Sequence, residues 1–126
     1  MKFRVARHTT DLQAILVFYR DLLGLRVLGG FTAHNGYDGV FLGPENADWH
    51  LEFTVSAEVP VHAADADDLL VFYLPSQEEY ERSKAGFRRQ GIAEVAAKNP
   101  YWREFGTTYR DPDGFGVVIT VVRKPA

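Results

Sequence analysis

Twice along the chain the same order of signals recurs: a β-prone apolar run, a helix-capping tetrapeptide, an amphipathic helix closed by glycine, and three further β-prone runs. In the first copy Phe3 to His8 is the leading strand, and Thr10-Asp11-Leu12-Gln13 has the T-x-x-Q spacing of a capping box. That spacing predicts a helix from Asp11. Its apolar stripe is Leu12, Ile15, Leu16, Tyr19, Leu22 and Leu23, and it ends at Gly24, where a left-handed residue is wanted. Strands are predicted over Leu25 to Thr32, Gly39 to Leu42 and Trp49 to Val55, with turn signals at Asn35-Gly36, Asp38-Gly39 and Gly43-Pro44.

In the second copy Leu69 to Leu74 leads. Ser76-Gln77-Glu78-Glu79 caps a helix running through Tyr80 and Phe87 to Gly91. Ile92 to Ala97, Gly106 to Tyr109 and Gly116 to Val122 read as strands, the last two joined by the turn Asp111-Pro112-Asp113-Gly114. A unit this short does not close a core by itself, so each copy is expected to pair with another, in the same chain or in a partner.

Between the copies, Ser56 to Asp68 is rich in Ala and Asp, contains Pro60, has no period and reads as a linker. The expected organisation is one domain over residues 1–126, with module one at about 1–57, the linker at about 58–67 and module two at about 68–126. A chain of 126 residues with 46% apolar composition is long enough for one core and too short for two independent ones. The formal charge is -3 and no basic run is longer than the pairs Arg88-Arg89 and Arg123-Lys124, so nothing attracts a polyanion such as nucleic acid. The absence of cysteine removes disulfides, thiolate nucleophiles and cysteine-ligated zinc together. The first residues, MKFRVARHTT, carry charges and never form the apolar run of a signal peptide or membrane span. The expected setting is the cytoplasm, without membrane contact.

The chemistry-bearing residues cluster around "NADWHLEFTV", where His50 and Glu52 share one face of a strand, about 6.5 to 7 Å apart at the backbone. His8 lies on the same face of its strand as Arg4, and His34 sits in the loop "AHNGYDG". A set of two histidines and one carboxylate can therefore be written for a metal. Each member also has a plain reading, as a strand residue bonded to a neighbour or as a turn residue. Asp38 could orient a ligand or cap local backbone. "NPYW" reads as a loop in which Tyr101 and Trp102 could form a flat wall over a pocket, with Asn99 offering hydrogen bonds; the alternative is that they cover the sheet edge. Phe41, Phe72 and Tyr73 read as core or pocket lining, and Asp111 and Asp113 as turn residues without chemistry. Ser56, Ser76 and Ser83 lie in a linker, a cap and a helix, so no nucleophile constellation is present.

The paired βαβββ modules, "TTDLQAILVFYRDLLGL", the strand end "HLEFT" and the turn "YRDPDGFGVVI" resemble the glyoxalase, bleomycin-resistance and extradiol-dioxygenase superfamily, the vicinal oxygen chelate proteins. The likeness covers nearly the whole chain. It implies an α+β fold in which the two modules form curved mixed sheets around a concave pocket. It also implies, for catalytic members, a divalent metal held by a histidine on the first strand and a carboxylate on the last strand of each module. Carried onto this chain, the first position falls on Arg4, seven residues before Asp11, and the second on Glu52. The third falls on Leu69 and the fourth on Val118, so only Glu52 is a ligand type. A guanidinium about 5 Å from a divalent ion is repelled by roughly 7 kcal/mol at an effective dielectric near 20. Arg4 is therefore expected to pair with Glu52 or to meet a ligand carboxylate or phosphate.

The resulting expectation is a small organic molecule bound without the four-ligand metal site and without another cofactor. Arg4, His8, His34, Asp38, His50, Glu52, Asn99, Tyr101 and Trp102 are the candidate ligand-binding residues, in a protein acting as a homodimer. The alternative is a metal-dependent lyase, epimerase or dioxygenase-type enzyme with a divalent metal on a rearranged site that includes His50 and Glu52. A dimerising module with no small-molecule role is a third reading.

Overall fold

A computed structural model describes residues 1–122, so the terminal pair Arg123-Lys124 lies outside the described residues. The chain divides into two compact units, Met1–His62 and the remainder from Ala63. Each carries its own curved mixed sheet, and neither sheet closes into a barrel.

In the first unit the sheet has four strands, β1 (Phe3–His8), β2 (Arg26–His34), β3 (Tyr37–Gly43) and β4 (Trp49–Val55), in the order β1-β4-β3-β2. β1 runs parallel to β4, and β3 is antiparallel to both β4 and β2. The helix over the sheet begins as α1 (Leu12–Ile15) and continues as a π-helix, Leu16–Leu22. Its cap is Asp11 rather than Thr10: Asp11 is extended and its Oδ1 accepts from the N–H groups of Gln13 at 2.9 Å and Ala14 at 3.2 Å. The helix therefore starts one residue later than its sequence spacing predicts. In the π register the Leu23 N–H reaches back to Phe18 O. The wider turn leaves consecutive residues closer together around the axis, and Phe18 and Tyr19 are both buried. The Tyr19 ring lies 5.0 Å from that of Phe53, in a core that includes Ile15, Leu42 and Leu51. Gly24, at φ 84°, ends the helix as expected.

The β2–β3 hairpin turns on Asn35 and Gly36, both at positive φ, which suits a two-residue loop. Asp38-Gly39, by contrast, is not a turn but part of β3. The β2–β3 register shifts between Phe31 and His34, and the Ala33 N–H, at a positive-φ residue, donates to Asp38 Oδ1 at 2.7 Å. Asp38 thus satisfies the donor at a bulge and needs no turn of its own.

The second unit has three strands, β5 (Leu69–Leu74), β6 (Thr107–Arg110) and β7 (Gly116–Val121), in the order β5-β7-β6. β5 and β7 are parallel, while β6 and β7 are antiparallel. Ile92 to Ala97 is not a strand; it makes one isolated bridge, Val95 to Thr108. The segment is alanine-rich with no strict alternation, and alanine is depleted in strands. Helix α2 (Gln77–Arg89) is capped by Ser76, whose hydroxyl accepts from the Glu79 N–H. Phe87 on this helix stacks on Tyr109 of β6 at 3.9 Å, and Tyr80 is hydrogen-bonded to Thr107, so α2 covers the face carrying Thr107, Tyr109 and Val117. "NPYW" opens a helix, not a loop: α3 (Pro100–Phe105) has Asn99 as its cap and proline at its start. α3 lies on the opposite face, where Thr120 donates to Phe105 O at 2.6 Å. Gly106 follows it because a Cβ there would stand 2.7 Å from Val118 Cγ1.

Candidate ligand-binding face of the first sheet

Strand alternation sorts the first sheet into two faces. Val40, Leu42, Leu51 and Phe53 are buried with the helix. The register sets Arg4 beside His50, Ala6 beside Glu52, His8 beside Thr54, and Phe41 beside Glu52, so Arg4, His8, His50, Glu52 and Phe41 share the other face. Arg4 is the hub. Its Nε–H donates to His50 Nε2 at 2.8 Å, which assigns the ring proton of His50 to Nδ1. Its guanidinium lies 4.7 Å from the centroid of the Phe41 ring, and Nη1 stands 3.9 Å from Glu52 Oε1. That last distance is an ion pair but not a hydrogen bond. The Arg4 side chain is 48% exposed and that of Glu52 15%. Phe41 also meets His50 edge-on at 5.8 Å and Phe31 at 5.8 Å.

Phe31 escapes the sequence reading. Its signal is Gly39, a glycine inside a strand: a Cβ there would lie 2.3 Å from Phe31 Cζ, so the ring rests against the bare backbone. At the far end of β1, His8 Nε2 is hydrogen-bonded to Ser56 Oγ at 2.9 Å, and the His8 carbonyl accepts from His62 Nε2 at 2.7 Å. His34 is the last residue of β2, paired with Tyr37, rather than a loop residue, and its ring meets Phe31 edge-on at 6.1 Å.

The structure therefore brings Arg4, His50 and Glu52 into contact, leaves His8 further along the same face, and commits the Asp38 carboxylate to backbone. Asn99, Tyr101 and Trp102 belong to the second unit. Asn99 Oδ1 accepts from the Tyr101 N–H as a helix cap. The Tyr101 and Trp102 rings meet at 85°, edge-to-face, which is not the flat wall the sequence suggests, and Trp102 approaches Tyr73 at 6.5 Å. Tyr101 is half exposed, at 51%.

The second sheet repeats the register of the first. Leu69 pairs with Gly116 as Arg4 pairs with His50, and Val118, like Glu52, lies two residues further along the last strand. The two hydrocarbon positions are thus the counterparts of Arg4 and Glu52. Such a set, with one carboxylate, one cation and two hydrocarbon side chains, does not fit a four-ligand metal centre. Among the described residues no group of three or more His, Cys, Asp or Glu comes together to hold a metal ion.

Family models match both units, the YycE-like N-terminal domain over residues 3–54 and the YycE-like C-terminal domain over residues 67–120. The chain belongs to the YycE-like family. It is 43% identical to the protein YycE of Bacillus subtilis (strain 168) over 123 residues, spanning 94% of this chain and 86% of that one. Against the crystal structure of YycE from Bacillus subtilis the TM-score is 0.86, with 40% identity over 99% of this chain and 92% of the other. The glyoxalase I of Leishmania major superposes with a TM-score of 0.71 at 23% identity, over 94% and 84% of the two chains. A glyoxalase/bleomycin resistance protein/dioxygenase domain from Frankia sp. EAN1pec does so with a TM-score of 0.71 at 16% identity, over 95% of each chain. The fold of this YycE-like protein is that of the vicinal oxygen chelate superfamily. No helix among the described residues is long and apolar enough to cross a membrane.

Proposed function

We propose that this YycE-like protein binds a small organic ligand on the exposed face of its first sheet, without the four-ligand metal site of the superfamily's catalytic members. One observation carries the reading: the position of the first metal-binding histidine holds Arg4, whose Nε–H occupies the lone pair of His50 Nε2. The arrangement leaves a fixed cation, a partly buried carboxylate and two aromatic rings on one surface, the usual mixture of a small-molecule site. Its setting is the cytoplasm and its partner the ligand. The glyoxalase and bleomycin-resistance likenesses below 25% identity support the fold and leave the ligand to be decided by these residues.

A second reading has one observation in its favour. Glu52 occupies a true ligand position and accepts no hydrogen bond from Arg4, as a carboxylate available to a divalent ion in a lyase, epimerase or dioxygenase-type enzyme would. Elemental analysis of untagged protein, with a thermal-shift screen over Mn, Fe, Ni, Co and Zn, separates the two. The expected outcome is no stoichiometric metal, and stabilisation by an organic compound by about 2.7 kcal/mol at a hundred times its Kd. Stoichiometric metal that disappears in His50→Ala and Glu52→Ala would instead establish the metal-dependent reading.

A further inference from the structure

We infer that the ligand of this face is a zwitterionic 2-amino carboxylate, its carboxylate taken by the Arg4 guanidinium and its ammonium by Glu52. The inference rests on the ligand-binding reading above and adds the ligand's class. Arg4 is held at two points, through Nε to His50 and through its flat face on Phe41, so the direction of its terminal N–H groups is set before any ligand arrives. Those terminal groups make no hydrogen bond among the described residues, and the side chain is half exposed. They form the fork that suits a planar carboxylate.

Glu52 is the second half of the argument. Its carboxylate lies 3.9 Å from Arg4 Nη1, close enough to feel the charge and too far to be hydrogen-bonded by it, and it accepts no other hydrogen bond among the described residues. A simple anion drawn to Arg4 is repelled by Glu52, and a simple cation drawn to Glu52 is repelled by Arg4. A molecule carrying both charges on adjacent carbons is attracted by both. The Phe31 and Phe41 rings, 5.8 Å apart beside the guanidinium, offer apolar surface to its side chain.

The test is nitrogen-15 NMR titration of the full chain in EDTA with phenylalanine, 3-phenylpropionate, which lacks the ammonium, and phenethylamine, which lacks the carboxylate. Phenylalanine should move the amides of Phe41 and Glu52 and bind roughly ten-fold more tightly than either half-molecule. Arg4→Gln should lower phenylalanine to the level of phenethylamine, and Glu52→Gln to the level of 3-phenylpropionate, in variants whose spectra stay dispersed. Either half-molecule binding as tightly as phenylalanine, or both variants binding it unchanged, would overturn the ligand class while leaving the face a binding site. If none of the three compounds moves these amides, the ligand class is likewise overturned; stoichiometric metal in the untreated protein would then remove the underlying reading as well.

Discussion

Arg4 shows how one side chain redirects a site. A histidine in its place would present a lone pair, whereas the guanidinium presents only donors, and it draws His50 and Glu52 toward itself. Two residues in the second unit make more local predictions. Thr108 Oγ1 is buried without a hydrogen-bond partner, so the hydroxyl contributes a desolvation cost and nothing in return. Thr108→Val is therefore expected to leave the denaturation midpoint unchanged or raise it, and a loss of more than about 1 kcal/mol would show that the hydroxyl is satisfied. Tyr109 is 1% exposed, and burial, with a smaller contribution from the Glu94 carboxylate, pushes its phenol up to about 12. Because the folded value lies above the ordinary value of 10.0, the neutral phenol's contribution is fully present below about pH 10. It is lost as pH rises toward about 12. Denaturant melts across that range should show stability falling with pH, and Tyr109→Phe should flatten the fall.

Among the secondary-structure elements, caps and turns decide more than propensity does. If Asp11 is the cap of α1, Asp11→Ala should lower stability by about 1 kcal/mol while Thr10→Ala does little, as read by chemical denaturation. The reverse order would restore the capping box that the sequence spacing suggests. The β2–β3 hairpin depends on Asn35-Gly36 at its tip and on the Asp38 carboxylate at its bulge, so a residue written as a turn signal works from inside a strand. α3 uses Asn99 and Pro100 as a start signal, one that a reading of "NPYW" as aromatic loop overlooks.

For the whole chain, a net charge of -3 and a sequence pI near 5.8 predict no retention on heparin at low ionic strength, which a single chromatographic run checks. Binding released by salt would point to a cationic surface and undermine the small-molecule reading. The homodimer expected of such paired modules is a matter for sedimentation velocity, where the 14.2 kDa chain and a species of twice that mass are well separated.

The amino-acid sequence determined what depends on local chemistry and on period. It contained the two longer helices with their glycine ends, five of the seven strands to within a residue at each end, the hairpin at Asn35-Gly36, and the parity that sets His50 and Glu52 on one face. It also contained Arg4 and Glu52 as opposite charges on the first and last strands of the first module. Tertiary structure decided what depends on cross-strand register and on packing. Ile92 to Ala97 made a single bridge instead of a strand because its apolar residues do not alternate. Phe31 joined the face because β2 lies across Gly39, and His50 turned its Nε2 toward Arg4 because β1 sets the two side by side. A period can be read along one chain, but a contact between strands 46 positions apart exists only once the sheet has paired them.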